Sequence, residues 1–334
     1  MIFISVILKA MGKINNTIGV LHPFHVMVNK EITDHIRSWR FIILFIIILV
    51  TCLGSVSIAL ATFDNTPKPA EYSNSFFFLR LFTASDGTLP SFFVFISFLG
   101  PLLGISMGFD AINAEENRGT MSRIMAQPVH RDYIINAKFT GAIAVLSVML
   151  FSLGFLVMGL GFIMIGIPPT AEEFLRIVFF ILLSILYVSF WLNLSIFFSV
   201  KFRQPATSAL SGIAVWLFLT VFYSIIVSLI AKAAAPAQGA TTQEVVSYQE
   251  LILNLFRVLP SQMFSDATTT LLVPTVRSLG PLTVDKIVGT IPGPLPLGQS
   301  ILLVWPQITG LIAATILCFV LSYVSFMRRE IRSR

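Results

Sequence analysis

The chain is predicted to be an all-α integral membrane protein. Its plan is six transmembrane helices, an amphipathic helix at the membrane surface before the first, and a short helix in the loop between the second and third. Three observations predict this. Six stretches hold no Asp, Glu, Lys or Arg: Phe41–Ala61, Pro90–Phe109, Phe139–Ile167, Ile177–Val200, Ala206–Ala231 and Ile301–Phe326. Each is about 20 residues or longer, which at ~1.5 Å of rise per residue covers a hydrocarbon core of ~30 Å. A helix apolar on every face for that length is unusual in a soluble core, and in lipid only helices and closed barrels satisfy their own backbone groups. The 334 residues are also 56% hydrophobic and only 11% charged, where a soluble domain carries roughly 25% charge.

The third observation is where the charge lies. Lys9, Lys13, Lys30, Arg37 and Arg40 precede the first stretch, and Arg118, Arg123, Arg131 and Lys138 lie between the second and third. Lys201 and Arg203 separate the fourth from the fifth, and Arg328, Arg329, Arg332 and Arg334 follow the sixth, so that one side holds 15 of the 22 Lys and Arg. The positive-inside rule places that side, and both termini, in the cytoplasm. The net charge of +6 is then a topology signal, and nucleic acid is not an expected partner.

In chain order, residues 1–40 read as a cytoplasmic N-terminal segment and 41–334 as the six-span domain. Met1–Leu8 is too brief for a signal-peptide core and ends at Lys9, and Met11 offers an alternative start. Phe24, Met27, Val28, Ile32, Ile36 and Trp39 recur at helical spacing with Lys30, Asp34 and Arg37 on other faces. This is an amphipathic helix expected to lie on the membrane surface in contact with lipid. The loop Thr62–Leu89 carries an apolar patch, Phe76–Phe82, and the loop after the third span opens with Pro168 and Pro169. Lys232–Ser300 is expected outside the cytoplasm; it is rich in proline (Pro236, Pro260, Pro274, Pro281, Pro292, Pro294, Pro296) and holds the apolar pieces Leu251–Leu259 and Leu271–Val273. These are too short to span, so short helices lying at, or dipping into, the outer leaflet are expected.

The informative polar segment is Ala111–Gly141. The second span is predicted to continue as a polar helix through Asn113, Glu115, Glu116 and Arg118, closed by Gly119 at φ > 0. Thr120 is expected to cap a short helix with Met121, Ile124 and Met125 on one exposed apolar face. Pro128 stops that helix, and Asp132 is a plausible N-cap for the helix that becomes the third span. The product is a rigid bracket just below the membrane, a shape suited to a protein that is pushed from that side.

The bracket string resembles the signature of type-2 ATP-binding-cassette (ABC) permeases. Its matching residues are Glu115, Gly119 and Thr120, then Ile124-Met125-Ala126-Gln127-Pro128-Val129 with Arg131, then Lys138. Asn29-Lys30-Glu31-Ile32, with Asp34 and Ile36-Arg37-Ser38, is similar to the Lys-Glu…Arg-Ser string ahead of that family's first span. The subgroup most resembled is that of permeases grouped with the copper-site maturation system of nitrous oxide reductase. The resemblance implies a coupling region at Glu115, Arg118, Gly119, Thr120, Gln127, Pro128 and Arg131, with Lys138 anchoring the start of the third span. It also implies a separate ATP-binding subunit that carries ATP and Mg, and a second permease copy. One departure is Asn117, which stands where the pattern usually has a second acidic residue.

No G-x-x-x-x-G-K-[ST] string occurs, so no cofactor is expected on this chain and any ATPase is a separate polypeptide. His22, His25, His35 and His130 form no H-E-x-x-H pattern, Cys52 and Cys318 lack zinc spacing and read as packing residues, and no G-x-S-x-G elbow is present. An intramembrane enzyme or scaffold is therefore unsupported. Ion-coupled carriers and channels, the alternative reading, place ionisable groups at mid-membrane depth, and these spans carry none. Their polar residues are mild, and Asn193 is the one singled out, for interhelical hydrogen bonding or for contact with cargo along the path. Charge-free spans suit an amphipathic or hydrophobic cargo and an ATP-driven exporter.

Overall fold

The computed structural model describes residues 22–65, 76–85, 87, 89–166, 168–236, 240–276, 279 and 294–329. Met1–Leu8, Lys9, Met11, Lys13, Pro281, Pro292, Arg332 and Arg334, read from sequence above, lie outside those residues. Among the described residues every element is helical: α1 (Pro23–Arg37), α2 (Trp39–Asn65), α3 (Phe77–Thr83), α4 (Phe92–Gly108), α5 (Asn113–Asn117), α6 (Thr120–Met125), α7 (Arg131–Ile165), α8 (Ala171–Lys201), α9 (Pro205–Leu217), a π-helical turn (Phe218–Phe222), α10 (Tyr223–Ala233), α11 (Thr242–Phe256), α12 (Pro260–Leu272) and α13 (Leu297–Arg328). Among the described residues, six helical runs are long and apolar enough to cross a membrane: Trp39–Ala61, Phe92–Asn117, Arg131–Met164, Ala171–Lys201, Pro205–Ala233 and Leu297–Arg328. They overlap the six charge-free stretches and run past most of their ends, so that α7 begins at Arg131 rather than at Phe139, though the second run starts only at Phe92 and the third stops at Met164.

The fourth span, α8, is the axis of the bundle. It packs against α4, α13, α12, α9 and α7 and buries Trp191, Tyr187 and Phe180. Two glycines set how closely α4 lies on it. A Cβ on Gly104 would stand 2.7 Å from the Val188 carbonyl oxygen and 2.9 Å from the Leu192 nitrogen, and one on Gly108 would stand 2.7 Å from the Leu192 carbonyl oxygen. The two backbones are in direct contact there, and only glycine fits between them.

At the end away from the bracket, the apolar patch in the first loop folds as α3 and buries Phe78, Leu79, Leu81 and Phe82. A capping box opens α8: the Thr170 hydroxyl accepts from the Glu173 N–H, while the Glu173 carboxylate accepts from Thr170 and, at 2.8 Å, from the Phe78 N–H. Arg176 is fully buried one turn further on.

The fifth span is the outlier. Its packing on α4 and α8 is made chiefly by α9, and it leaves Leu210, Leu217, Phe218, Val221, Phe222, Ile225 and Leu229 exposed. The apolar pieces of the long segment before α13 form α11 and α12. α12 packs on α8, α13 and α4, whereas α11 packs on α10 and buries none of its residues.

Candidate functional site

The polar bracket begins where α4 ends. Its helix loosens into turns over residues 109–112 before resuming as α5, because the N–H groups of Ile112 and Asn113 turn to the Ser199 hydroxyl at the end of α8 (2.9 and 3.3 Å). Gly119 closes α5 at φ +69°, where a Cβ would meet nothing within 4 Å. Its glycine is required by backbone conformation alone.

Three expectations about the bracket are corrected. Thr120 does not cap α6; it is that helix's first residue, Gly119 holds the N-cap position, and the Thr120 hydroxyl donates back to the Glu115 carbonyl oxygen (3.1 Å). That oxygen is one of the carbonyls left over by the end of α5, and the threonine is the nearest donor. Asp132 is not the N-cap of α7 either, since His130 is, and Asp132 lies in the first turn, where a carboxylate favours the helix dipole. The apolar face of α6 points inward: Met121 is buried and Ile124 and Met125 pack on the core. The residues left exposed are Ser122, Arg123, Ala126, Gln127 and Pro128, with Arg118 and Gly119 beside them.

α1 lies against the start of α7 rather than standing free. Gly141 makes room for it, as a Cβ there would be 2.8 Å from the Glu31 Cβ. The helix ends at Arg37, so Trp39, expected on its apolar stripe, belongs to α2 and is 77% exposed. Where α1, α5 and α7 meet, Lys138, with only 6% of its side chain exposed, pairs with Glu31 (3.2 Å) and Glu115 (2.9 Å), and Lys30 pairs with the same two carboxylates (2.9 and 2.8 Å). Burial alone would raise the Glu31 carboxyl, but the charges of Lys138 and Lys30 outweigh it and hold it below the usual carboxylate range. Burial would likewise lower Lys30, but Glu115 and Glu31 push it well above the lysine range. The signs agree. Glu31's contribution is present above the ordinary carboxylate range and is lost as pH falls through its lowered value. Lys30's is present below the ordinary lysine range and is lost as pH rises through its raised value. The cluster is therefore intact at neutral pH. His35, one turn on, is pushed down by burial and is neutral there.

The other flank of the bracket holds the ends of the spans. Arg40 pairs with Asp110 (2.7 Å), joining the start of α2 to the end of α4. Asn113 donates to the Phe202 carbonyl oxygen (3.4 Å) and Asn117 to that of Arg203 (3.0 Å). Glu116 pairs with Arg329 (2.8 Å), whose guanidinium also donates to the Val200 carbonyl oxygen at the end of α8. Arg131 is turned inward: it donates to the carbonyl oxygens of Phe326 (2.6 Å) and Arg329, with its guanidinium 5.0 Å from the Phe326 ring centroid. A cation there meets the unsatisfied carbonyls at the end of α13. Where the family pattern has an acid at 117, the ion pair on this chain comes instead from Glu116.

Sequence reading missed Glu116, Arg329, Ser199 and Asn113. Their partners lie about two spans or more away along the chain, and nothing in local spacing marks them. Asn193 lies elsewhere, wholly buried in α8; the Ser322 hydroxyl donates to its backbone carbonyl (3.1 Å), and its side-chain amide has no partner among the described residues. The expected interhelical bond is made by Asn193's backbone and not by its side chain. No group of three or more His, Cys, Asp or Glu placed to hold a metal occurs among the described residues.

A family model described as ABC-2 family transporter protein matches residues 25–331. No curated protein matches the chain.

Proposed function

The chain belongs to the ABC-2 transporter family and is a multi-pass membrane permease component of an ABC transporter, and from that premise we propose that its bracket is where a separate ATPase subunit pushes. The observation that carries this is the division of the bracket into two faces. Its inner face is tied to the ends of α1, α2, α7, α8 and α13 by the contacts above, while Arg118, Ser122, Arg123, Gln127 and Pro128 on its outer face are exposed. A push on the outer face is delivered to several spans at once, as a rigid-body shift between two packed arrangements demands. The cytoplasm lies on the bracket side, by the basic asymmetry. Two permease copies over two ATPase chains complete the machine, the cargo is amphipathic or hydrophobic and is exported, and the chain has no catalytic site of its own. Within the family we place it with the permeases grouped with nitrous oxide reductase copper-site maturation, on its bracket string. Neighbouring reading frames that lack that maturation system would argue against the placement.

Gly119→Val tests the coupling reading. A β-branched residue at φ +69°, where an added Cβ meets nothing within 4 Å, costs at least about 1–2 kcal/mol through the backbone and redirects α6. Membrane insertion should be normal, while transport-linked ATP hydrolysis by the partner falls about tenfold or more. Gly119→Asn, which tolerates the left-handed region, should retain most of it. Wild-type association and activity in the valine variant would remove the bracket from the coupling role.

A further inference from the structure

We propose that Arg257 binds the acidic head group of an amphiphilic molecule about half-way into the membrane-spanning part of the chain, with the molecule's tail along the exposed face of the fifth span. The inference rests on the permease reading for its purpose, and on geometry alone for its site.

The depth follows from two independent registers. The Tyr248 hydroxyl donates to the Ala231 carbonyl oxygen and the Tyr223 hydroxyl to that of Leu255, both at 2.9 Å. α11 therefore runs back down α10, and continuing the register sets Arg257 beside Val221. At ~1.5 Å per residue this is roughly 15 Å inside the end of the charge-free stretch at Ala231. α12 then climbs out along α8 and α13. Phe264 stacks on Tyr187 with ring centroids 4.5 Å apart, a Cβ on Gly310 would meet the Met263 Cε at 2.9 Å, and the Leu271 carbonyl oxygen accepts from Arg176 Nη1 at 2.9 Å. Arg176 marks the mouth of α8, and Tyr187 and Gly310 lie deep in their spans, so the joint between α11 and α12 is deep by this route also. An ionisable side chain at that depth is costly unless it faces a partner, a pathway or a ligand.

Comparison with Arg176 separates a structural arginine from this one. Arg176 is fully buried, and each of its nitrogens donates: to Glu172, Leu271, Ser300 and Leu295. The side chain of Arg257 is 29% exposed, its Nε stands 3.7 Å from Asp266 Oδ2 and makes no hydrogen bond, and Nη1 reaches Asn254 only at 3.5 Å; Nη2 donates to the Leu279 carbonyl oxygen. Asp266 is itself engaged by Gln262 at 2.7 Å. Nε is thus closed off against Asp266, while Nη1 and Nη2 each commit one N–H to a described residue, and the outer edge of the planar guanidinium suits a carboxylate, phosphate or sulfonate. Beside Val221 the fifth span exposes Phe218, Phe222 and Ile225, an apolar track that fits an alkyl or aromatic tail. Head and tail together define an acidic amphiphile.

The test uses the full chain, purified into phosphatidylcholine nanodiscs, with 11-dansylaminoundecanoic acid and its methyl ester as probes. The acid should bind saturably and about tenfold or more tightly than the ester, and Arg257→Gln should remove that preference. Arg257→Lys should keep part of it. The exchange Arg257→Asp with Asp266→Arg preserves an ion pair and moves the cation, so it should lose the preference while unfolding at the wild-type temperature. Displacement of the acid by phosphatidylglycerol identifies a resident lipid as the natural source, and failure to displace it identifies a soluble amphiphile. Equal binding of acid and ester, or an unchanged preference in Arg257→Gln or in the exchanged variant, would overturn the proposal. Because no ATPase is present, failure of the coupling reading would leave this measurement unaffected.

Discussion

Lys138→Met should both destabilise the chain and separate it from its ATPase. The substitution keeps the length and apolar stem of the side chain and removes only the charge. Glu31 and Glu115, 12% and 13% exposed at their side chains, then face each other with Lys30 as their remaining cation, and Lys30 is itself 49% exposed. Removing one member of a buried ionic cluster costs roughly 3–5 kcal/mol, because the charges left behind stay desolvated. Either a carboxyl takes up a proton or α1 and α5 move apart to admit water, and in both cases α5 no longer holds its place against α7. The measurement is thermal unfolding of the purified chain together with co-purification of the ATPase. The double variant Lys138→Met with Glu115→Met removes both partners and should recover much of the lost stability. A single variant with the wild-type unfolding temperature and full ATPase recovery would show that the cluster carries no load.

Gly104→Ala adds one carbon and should be more disruptive than most larger changes elsewhere. The new Cβ would lie 2.7 Å from the Val188 carbonyl oxygen and 2.9 Å from both the Leu192 nitrogen and the Trp191 Cβ. Two of these are backbone atoms that no rotamer change can move, so α4 must lift off α8. Overpacking costs typically about 1–3 kcal/mol, and a backbone clash belongs at the top of that range or beyond it. Because the bracket grows from the end of α4, the displacement should also reach Ile112 and Asn113 at Ser199. Gly159→Ala is the control: nothing lies within 4 Å of its Cβ, and alanine favours the helix. Its unfolding temperature should be at or slightly above wild type. Equal stability of the two variants would mean that α4 and α8 are not seated as described.

The spans were legible because lipid imposes one rule on every residue in them, and a missing charge is visible in a single sequence. Gly119 was legible for a related reason: a helix stop between two polar helical runs needs a left-handed residue, and glycine is the usual one. The pieces Leu251–Leu259 and Leu271–Val273 gave away short non-spanning helices by length alone, although their boundaries, α11 and α12, were not readable. What escaped was everything decided by a distant partner. Periodicity shows that Met121, Ile124 and Met125 share a face, but not that the face meets the core. The inward turn of Arg131 is not legible because its acceptors are on Phe326 and Arg329, and the burial of Arg176 is not because Leu271, Leu295 and Ser300 lie about a hundred residues away. Glu31 sits on the buried side of an amphipathic helix, against the simple pattern, because Lys138 waits there.

If the ATPase meets the outer face of the bracket, site-specific cross-linking will capture it there. On a background with Cys52 and Cys318 replaced, single cysteines at Gln127 and at Ser247 would be placed in the chain and expressed with its ATP-binding-cassette partner. Gln127→Cys, carrying a short thiol-reactive photo-cross-linker, should join the ATPase in good yield. Ser247→Cys should give no such product and should instead react with an impermeant thiol reagent added to intact cells. A cross-link to the ATPase from Ser247, or none from Gln127 in a complex that still hydrolyses ATP, would place the ATPase elsewhere on the chain.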